Sequence, residues 1–154
     1  MCFVEGMLIC RCSPFSFLGP ARYTQPPCPL TSLPQIDIVI ISQYPPSLKF
    51  VDCSSHYDHL DVNTIASLGP NISYFVPLGN KAWFKSNFSK YKNVNELDWW
   101  EEYKWKHPSD EKKQLTVACT PCQHFSGRGL FDRNDTLWSS WTVLGSKLRY
   151  YFAG

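Results

Sequence analysis

The chain has 154 residues and a mass of 17.8 kDa, enough for one domain with a real core but not for two. Hydrophobic residues at 44% exclude a wholly disordered chain, and 16% aromatics against 18% charged residues suit apolar ligands or a partner surface. With 15 basic residues against 13 acidic ones the net charge is +2, which excludes the basic footprint of a nucleic-acid binder.

The opening Met1–Cys10 is apolar, but it lacks a basic leading region and Glu5 interrupts it. It reads as neither a signal peptide nor a bilayer span. Seven cysteines form an odd count with no regular framework, so Cys10, Cys12, Cys28, Cys53, Cys119 and Cys122 are expected as mostly free thiols in a reducing compartment. The expected location is intracellular, cytoplasmic or peripheral on internal membranes, and not secreted. The sequons at Asn71, Asn87 and Asn134 carry little weight without an export signal.

Residues 13–34 hold six of the 12 prolines and read as irregular connection. Ile36–Ile41 is a β-branched run with polarity only at Asp37, a strand expected to be buried on both faces. Asp61–Leu68 starts with an N-cap residue and places Val62, Ile65 and Leu68 at helical spacing. Ser73–Pro77 predicts a strand, Gly79–Tyr91 an amphipathic helix and Val94–Trp99 a third strand. Lys104–Lys113 is charged, contains Pro108 and reads as a solvated turn, with His107 simply solvated. Leu115–Cys119, Thr136–Leu144 and Leu148–Phe152 predict further strands, the last two joined near Gly145. Trp99, Trp100, Trp138 and Trp141 read as core aromatics on strands, and the Cys119–Cys122 spacing as coincidence. The alternation followed by consecutive strands predicts an α/β or α+β layered domain.

The sharpest chemistry is Ser55-His56-Tyr57-Asp58-His59-Leu60-Asp61, with two imidazoles and a carboxylate close together after a buried strand and before a helix. Borderline divalent metals such as zinc take these ligands. In so compact a loop His56 can face one metal while Asp58 and His59 face another, and Asp61 can cap the helix or orient an imidazole. A helix-capping loop with a surface histidine is the competing reading. His124 follows a second strand end, where open α/β sheets place site residues, though a hydrogen-bonded structural histidine would look the same.

Taken together, these segments resemble the metallo-β-lactamase superfamily, and more closely the N-acyl-phosphatidylethanolamine-hydrolysing phospholipases D. The similarity is carried by Ser13–Tyr23, Ile36–Ser42, Ser55–Asp61, Tyr74–Gly79, Asn95–Glu101, Thr120–Trp141 and Tyr151–Gly154, in order from about Arg11, leaving 1–10 unmatched. The resemblance implies a partial αββα sandwich over 11–154, lacking its C-terminal part, with two zinc ions at the sheet edges. It implies that His56 and His124 bind the first zinc, that Asp58 and His59 bind the second and act in catalysis, and that Asp61 supports them. The implied reaction is hydrolysis of N-acyl-phosphatidylethanolamine to phosphatidic acid and an N-acylethanolamine, the paired metals holding the phosphoryl oxygens and stabilising the leaving alkoxide. Implied partners are a phospholipid substrate at a peripheral membrane surface and a second subunit of a homodimer, with no nucleic acid.

Three departures stand out. Ser54 occupies the place of the first histidine of an HxHxDH motif, thirteen residues (Gln43–Ser55) stand where the family has two, and a bridging aspartate and a final histidine are expected beyond Gly154. Four of seven expected ligands remain. Glutamine and tyrosine codons at 43–44 can supply an intron start, and cysteine and serine codons at 53–54 its end. Excising eleven codons between them joins the leftover bases into a histidine codon, giving Ser42-His-Ser55-His56-Tyr57-Asp58-His59. Gln43–Ser54 therefore reads as retained intron. The competing expectations are another hydrolase of the superfamily (a lactonase or a different phosphodiesterase) and a non-catalytic truncated isoform.

Overall fold

The computed structural model describes residues 2–4, 7–9, 32–42, 62–123 and 137–153. Two short strands, β1 (Cys2–Val4) and β2 (Met7–Ile9), form an antiparallel pair at the edge of a five-stranded sheet. Next comes β3 (Ile38–Ile40), then α1 (Val62–Leu68), β4 (Ser73–Pro77), α2 (Asn80–Asn87) and β5 (Val94–Leu97). The pairs β2–β3, β3–β4 and β4–β5 are all parallel. Parallel neighbours need a long crossover, and α1 and α2 fill the last two of these connections.

The second sheet is an antiparallel meander of β6 (Glu102–His107), β7 (Asp110–Thr120), β8 (Ser140–Leu144) and β9 (Arg149–Phe152). The predicted charged turn over 104–113 is therefore a hairpin, turning only at Pro108-Ser109. The lysine-rich composition hid a strand whose Trp105 is buried while Lys104 and Lys106 are exposed. His107 is correspondingly not solvated: its side chain is 14% exposed, its Nε2 lies 3.6 Å from Asp37, and its ring meets Trp105 edge-on.

Strand alternation divides the interior into two cores. Val39, Ile41, Tyr74 and Val76 pack with Ile65, Trp83 and Phe84 of the helices, whereas Ile38, Ile40 and Phe75 face Trp105, Val117, Trp141 and Val143 of the second sheet. Strands β3 and β4 of the first sheet are buried on both faces, as the unbroken Ile-Val-Ile run requires. Helices, sheet and sheet give three layers of an α/β sandwich, in accord with the expected partial αββα class. Each fully buried aliphatic or phenylalanine side chain contributes about 1.5–3 kcal/mol to this packing.

Several predicted elements are shorter than expected: β3 keeps only Ile38–Ile40 of the run 36–41 and β5 only Val94–Leu97 of 94–99, and α2 and β8 are cut back as well. Helix α2 begins after Gly79, which has a left-handed φ of 94°, and stops at Phe88, whose φ of −135° is not helical. Ser86 and Asn87 help end it by donating to the carbonyls of Ala82 and Trp83. Residues 137–139 are not strand, and β8 starts only at Ser140.

Trp100 does not join a core. It is 74% exposed in a tight turn, with a φ of 70°. The turn is held by Glu101 Oε2 accepting from the Asp98 amide, by Asp98 Oδ1 accepting from the Trp99 amide, and by the Trp100 amide donating to the Cys119 carbonyl. A left-handed backbone costs a non-glycine residue about 1–2 kcal/mol, against about 0.5–1 kcal/mol of extra chain entropy for glycine. Trp100→Gly is therefore expected to stabilise the fold by about 0.5–1 kcal/mol, read as a higher urea midpoint; a lower midpoint would show that the indole is packing after all.

Candidate functional site

Five consecutive residues, 137–141, tie together the ends of four strands. The Trp141 indole donates to the Ile41 carbonyl at 3.1 Å, and both the amide and the hydroxyl of Ser139 donate to the Ser42 carbonyl at 3.4 and 3.3 Å. The Leu137 amide donates to the Leu78 carbonyl just past β4, and the Trp99 indole just past β5 donates to the Trp138 carbonyl. The Ser140 hydroxyl lies within 2.8–3.1 Å of Thr120 Oγ1, the Thr120 carbonyl and the Pro121 carbonyl, at the end of β7. Ser42, Ser139 and Ser140 are all fully buried. Buried hydroxyls need partners, and for Ser139 and Ser140 those partners are the strand ends themselves.

The chain leaves β3 at Ser42 towards His56, and leaves β7 at Thr120 towards His124. Both histidine-bearing segments thus depart from one corner of the sandwich, at the carboxyl ends of β3 and β4. His56, Asp58, His59, Asp61 and His124 themselves lie outside the described residues, as does the 43–54 stretch. Among the described residues no group of three or more His, Cys, Asp or Glu could hold a metal ion. Those five are the residues the sequence offers as ligands or their support. Their imidazoles and carboxylates suit zinc chemically. One described group near the corner also fits: Asn80 is fully buried, its Nδ2 donates to Pro77, and its Oδ1 is left without a partner. Such an acceptor is open to the free N–H of a ligating imidazole.

Composition predicts Trp138-Ser139-Ser140-Trp141 as aromatic strand, whereas the structure makes Ser139 and Ser140 the hydrogen-bonding centre of the corner. Two hydroxyls between two tryptophans in an otherwise apolar run were the available signal.

Cys119 closes the inner side of this corner. Burial pushes its thiol from 9.0 up to about 12; the hydrogen bond with Ser139 opposes the rise, and Asp98, Cys122 and Glu101 add to it. Burial also raises Cys122, and both thiols are free, so this CxxC spacing carries no disulfide. Because the folded thiol keeps its proton longer than the unfolded one, Cys119 supports stability below pH 9 and loses that support as pH rises towards 12. Cys119→Ala is expected to flatten the fall in urea midpoint between pH 9 and 11; an unchanged slope would refute the assignment.

Residues 10–154 match the family described as the β-lactamase superfamily domain. Over 150 residues the chain is 40% identical to N-acyl-phosphatidylethanolamine-hydrolyzing phospholipase D 1 of Caenorhabditis elegans, covering 94% of this chain and 38% of that protein. It is 40% identical over 146 residues to an uncharacterized protein of Mycobacterium tuberculosis, covering 94% and 34%. It is also 35% identical over 128 residues to the mitochondrial N-acyl-phosphatidylethanolamine-hydrolyzing phospholipase D of Saccharomyces cerevisiae, covering 82% and 24%. The chain thus spans 24–38% of the length of these relatives. Since the family match runs from residue 10 to the last residue, the chain belongs to the β-lactamase superfamily.

Proposed function

We propose that this chain is part of a zinc-dependent hydrolase that cleaves the phosphodiester of N-acyl-phosphatidylethanolamines, releasing an N-acylethanolamine and phosphatidic acid. The observation that carries the reading is 40% identity across nearly the whole chain to a relative named for that activity. The common corner from which the two histidine segments leave supports it.

In this reading His56 and His124 hold one zinc, Asp58 and His59 hold the other, and Asp61 orients an imidazole. Bound there, the two ions would supply Lewis-acid stabilisation of charge at the phosphoryl group. The chain's own part is positional. Ser139 and Ser140 fix the strand ends from which the ligands are carried, and a misplacement of about 1 Å can cost a hundredfold in rate. Leu78 and Trp100, 46% and 74% exposed at this end, offer apolar side chains to an acylated substrate presented at a membrane surface. Among the described residues no helix is long and apolar enough to cross a membrane, so that contact would be peripheral as far as they are concerned.

The test combines bound zinc per chain with product release from N-acyl-phosphatidylethanolamine micelles, compared with a lactone and a simple phosphodiester. In the full-length protein that contains this chain, with histidine in place of Gln43–Ser54, His56→Ala and His124→Ala are each expected to lower zinc content and abolish N-acylethanolamine release. Zinc content untouched by both substitutions would overturn the ligand set. Turnover of the lactone alone would overturn the substrate.

A further inference from the structure

At the pole opposite the seryl corner, a cavity of about 440 Å³ opens between the β6–β7 hairpin and the turn joining β8 to β9. Lys113 and Thr120 lie seven positions apart on β7, so the cavity is about 24 Å from the corner. Trp105 and Leu115 form its apolar wall, and Lys112, Lys113 and Lys147 surround it. Among the described residues Asp37 is the one carboxylate lining it, and that carboxylate already accepts from Gln35 at 3.0 Å and faces His107 at 3.6 Å. Among the described residues none of the three lysines has an ion pair. Nearby, the Asp110 carboxylate is engaged by the Lys112 amide, and exposed Glu111 does not line the cavity. A second depression of about 290 Å³ shares Gln114, Leu115 and Ser146 with the first and adds Lys104.

The chain as a whole carries a net charge of only +2, so this basic surface is a local concentration rather than a general bias. A concave site with charges of one sign and a low-dielectric wall focuses the field on a counter-ion. Gln114 and Ser146 add neutral donors beside the ammonium groups. We propose that this cavity binds a phosphate-bearing anion, with Lys112, Lys113 and Lys147 meeting its charge and Trp105 and Leu115 walling the pocket. The site is separate from the candidate metal centre and does not depend on that assignment.

Two sources share this chemistry, free phosphate compounds and the headgroup of an anionic lipid. The test measures the full chain against inorganic phosphate by titration calorimetry, and against phosphatidylcholine vesicles with and without phosphatidic acid by flotation. Each lysine near an anionic surface is worth about a factor of five, so Lys112→Gln/Lys113→Gln/Lys147→Gln is expected to weaken binding on the order of a hundredfold. The control Lys90→Gln/Lys92→Gln removes two exposed charges at the α2–β5 connection and is expected to change little. In the unmodified chain, phosphate should slow acetylation of Lys113 and Lys147 but not of Lys90, read by peptide mass. Binding of phosphate alone identifies a free ligand; phosphatidic-acid vesicles displaced by phosphate identify a lipid headgroup. No saturable binding of either probe, or equal losses in both variants, would overturn the proposal.

Discussion

Trp141→Ala is expected to lower the unfolding free energy by about 3–5 kcal/mol. The indole is fully buried at the centre of the inter-sheet core, and its N–H is bonded to the Ile41 carbonyl. Removing it leaves a cavity between the sheets and an unpaired buried carbonyl. A domain of ordinary stability has about 5–15 kcal/mol in total, so this substitution alone should bring it near unfolding. Trp141→Phe keeps a six-membered ring but removes the donor and the rest of the indole, so its loss should be smaller than that of Trp141→Ala while including about 1–3 kcal/mol for the unpaired carbonyl. Leu148→Ala, at a side chain 53% exposed, is the control and should stay within about 0.5 kcal/mol of the parent. Urea unfolding followed by circular dichroism measures all three. A Trp141→Ala variant within about 1 kcal/mol of the parent would show that the two sheets do not depend on this contact.

Replacing Gln43–Ser54 by a single histidine is expected to raise zinc affinity about tenfold or more, because restoring even an outer partner of a metal site commonly has that effect. The replacement recreates HxHxDH and shortens the path from Ser42 to His56. Competition against a chromophoric chelator gives the affinity, and adding His56→Ala to the shortened chain should remove most of the gain. An affinity indifferent to the replacement would mean that the segment does not interrupt a ligand set. Transcript sequencing gives an independent check: messages that retain codons 43–54 throughout would contradict the intron reading.

Three of the five strands of the first sheet were legible because their signals are local; β1 and β2, in the apolar opening, were not, since strands of three residues carry no period to read. Ile38–Ile40 and Ser73–Pro77 are apolar runs with no competing period, and both are strands. The second sheet was half legible. Leu115–Cys119 announced β7, but the lysines and Pro108 of residues 104–113 imitated a loop, since an edge hairpin can carry charge on every exposed position. Trp100 was misplaced for a different reason: a left-handed backbone expels a side chain whose composition says core. For the site, the histidine segments were visible as residue types at suitable spacing. The seryl corner from which they depart was not, because it joins residues about a hundred positions apart through a few hydrogen bonds to main-chain carbonyls.

Those same bonds bear on how the chain folds. The contacts of Trp141 with Ile41 and of Ser139 with Ser42 span 100 and 97 positions, among the most costly loops such a chain can close. Contacts of long sequence separation slow folding, so the β6–β7 hairpin and the β4–α2–β5 unit should gain protection against hydrogen exchange first. The corner can follow only after residue 141 has left the ribosome, later than those two units.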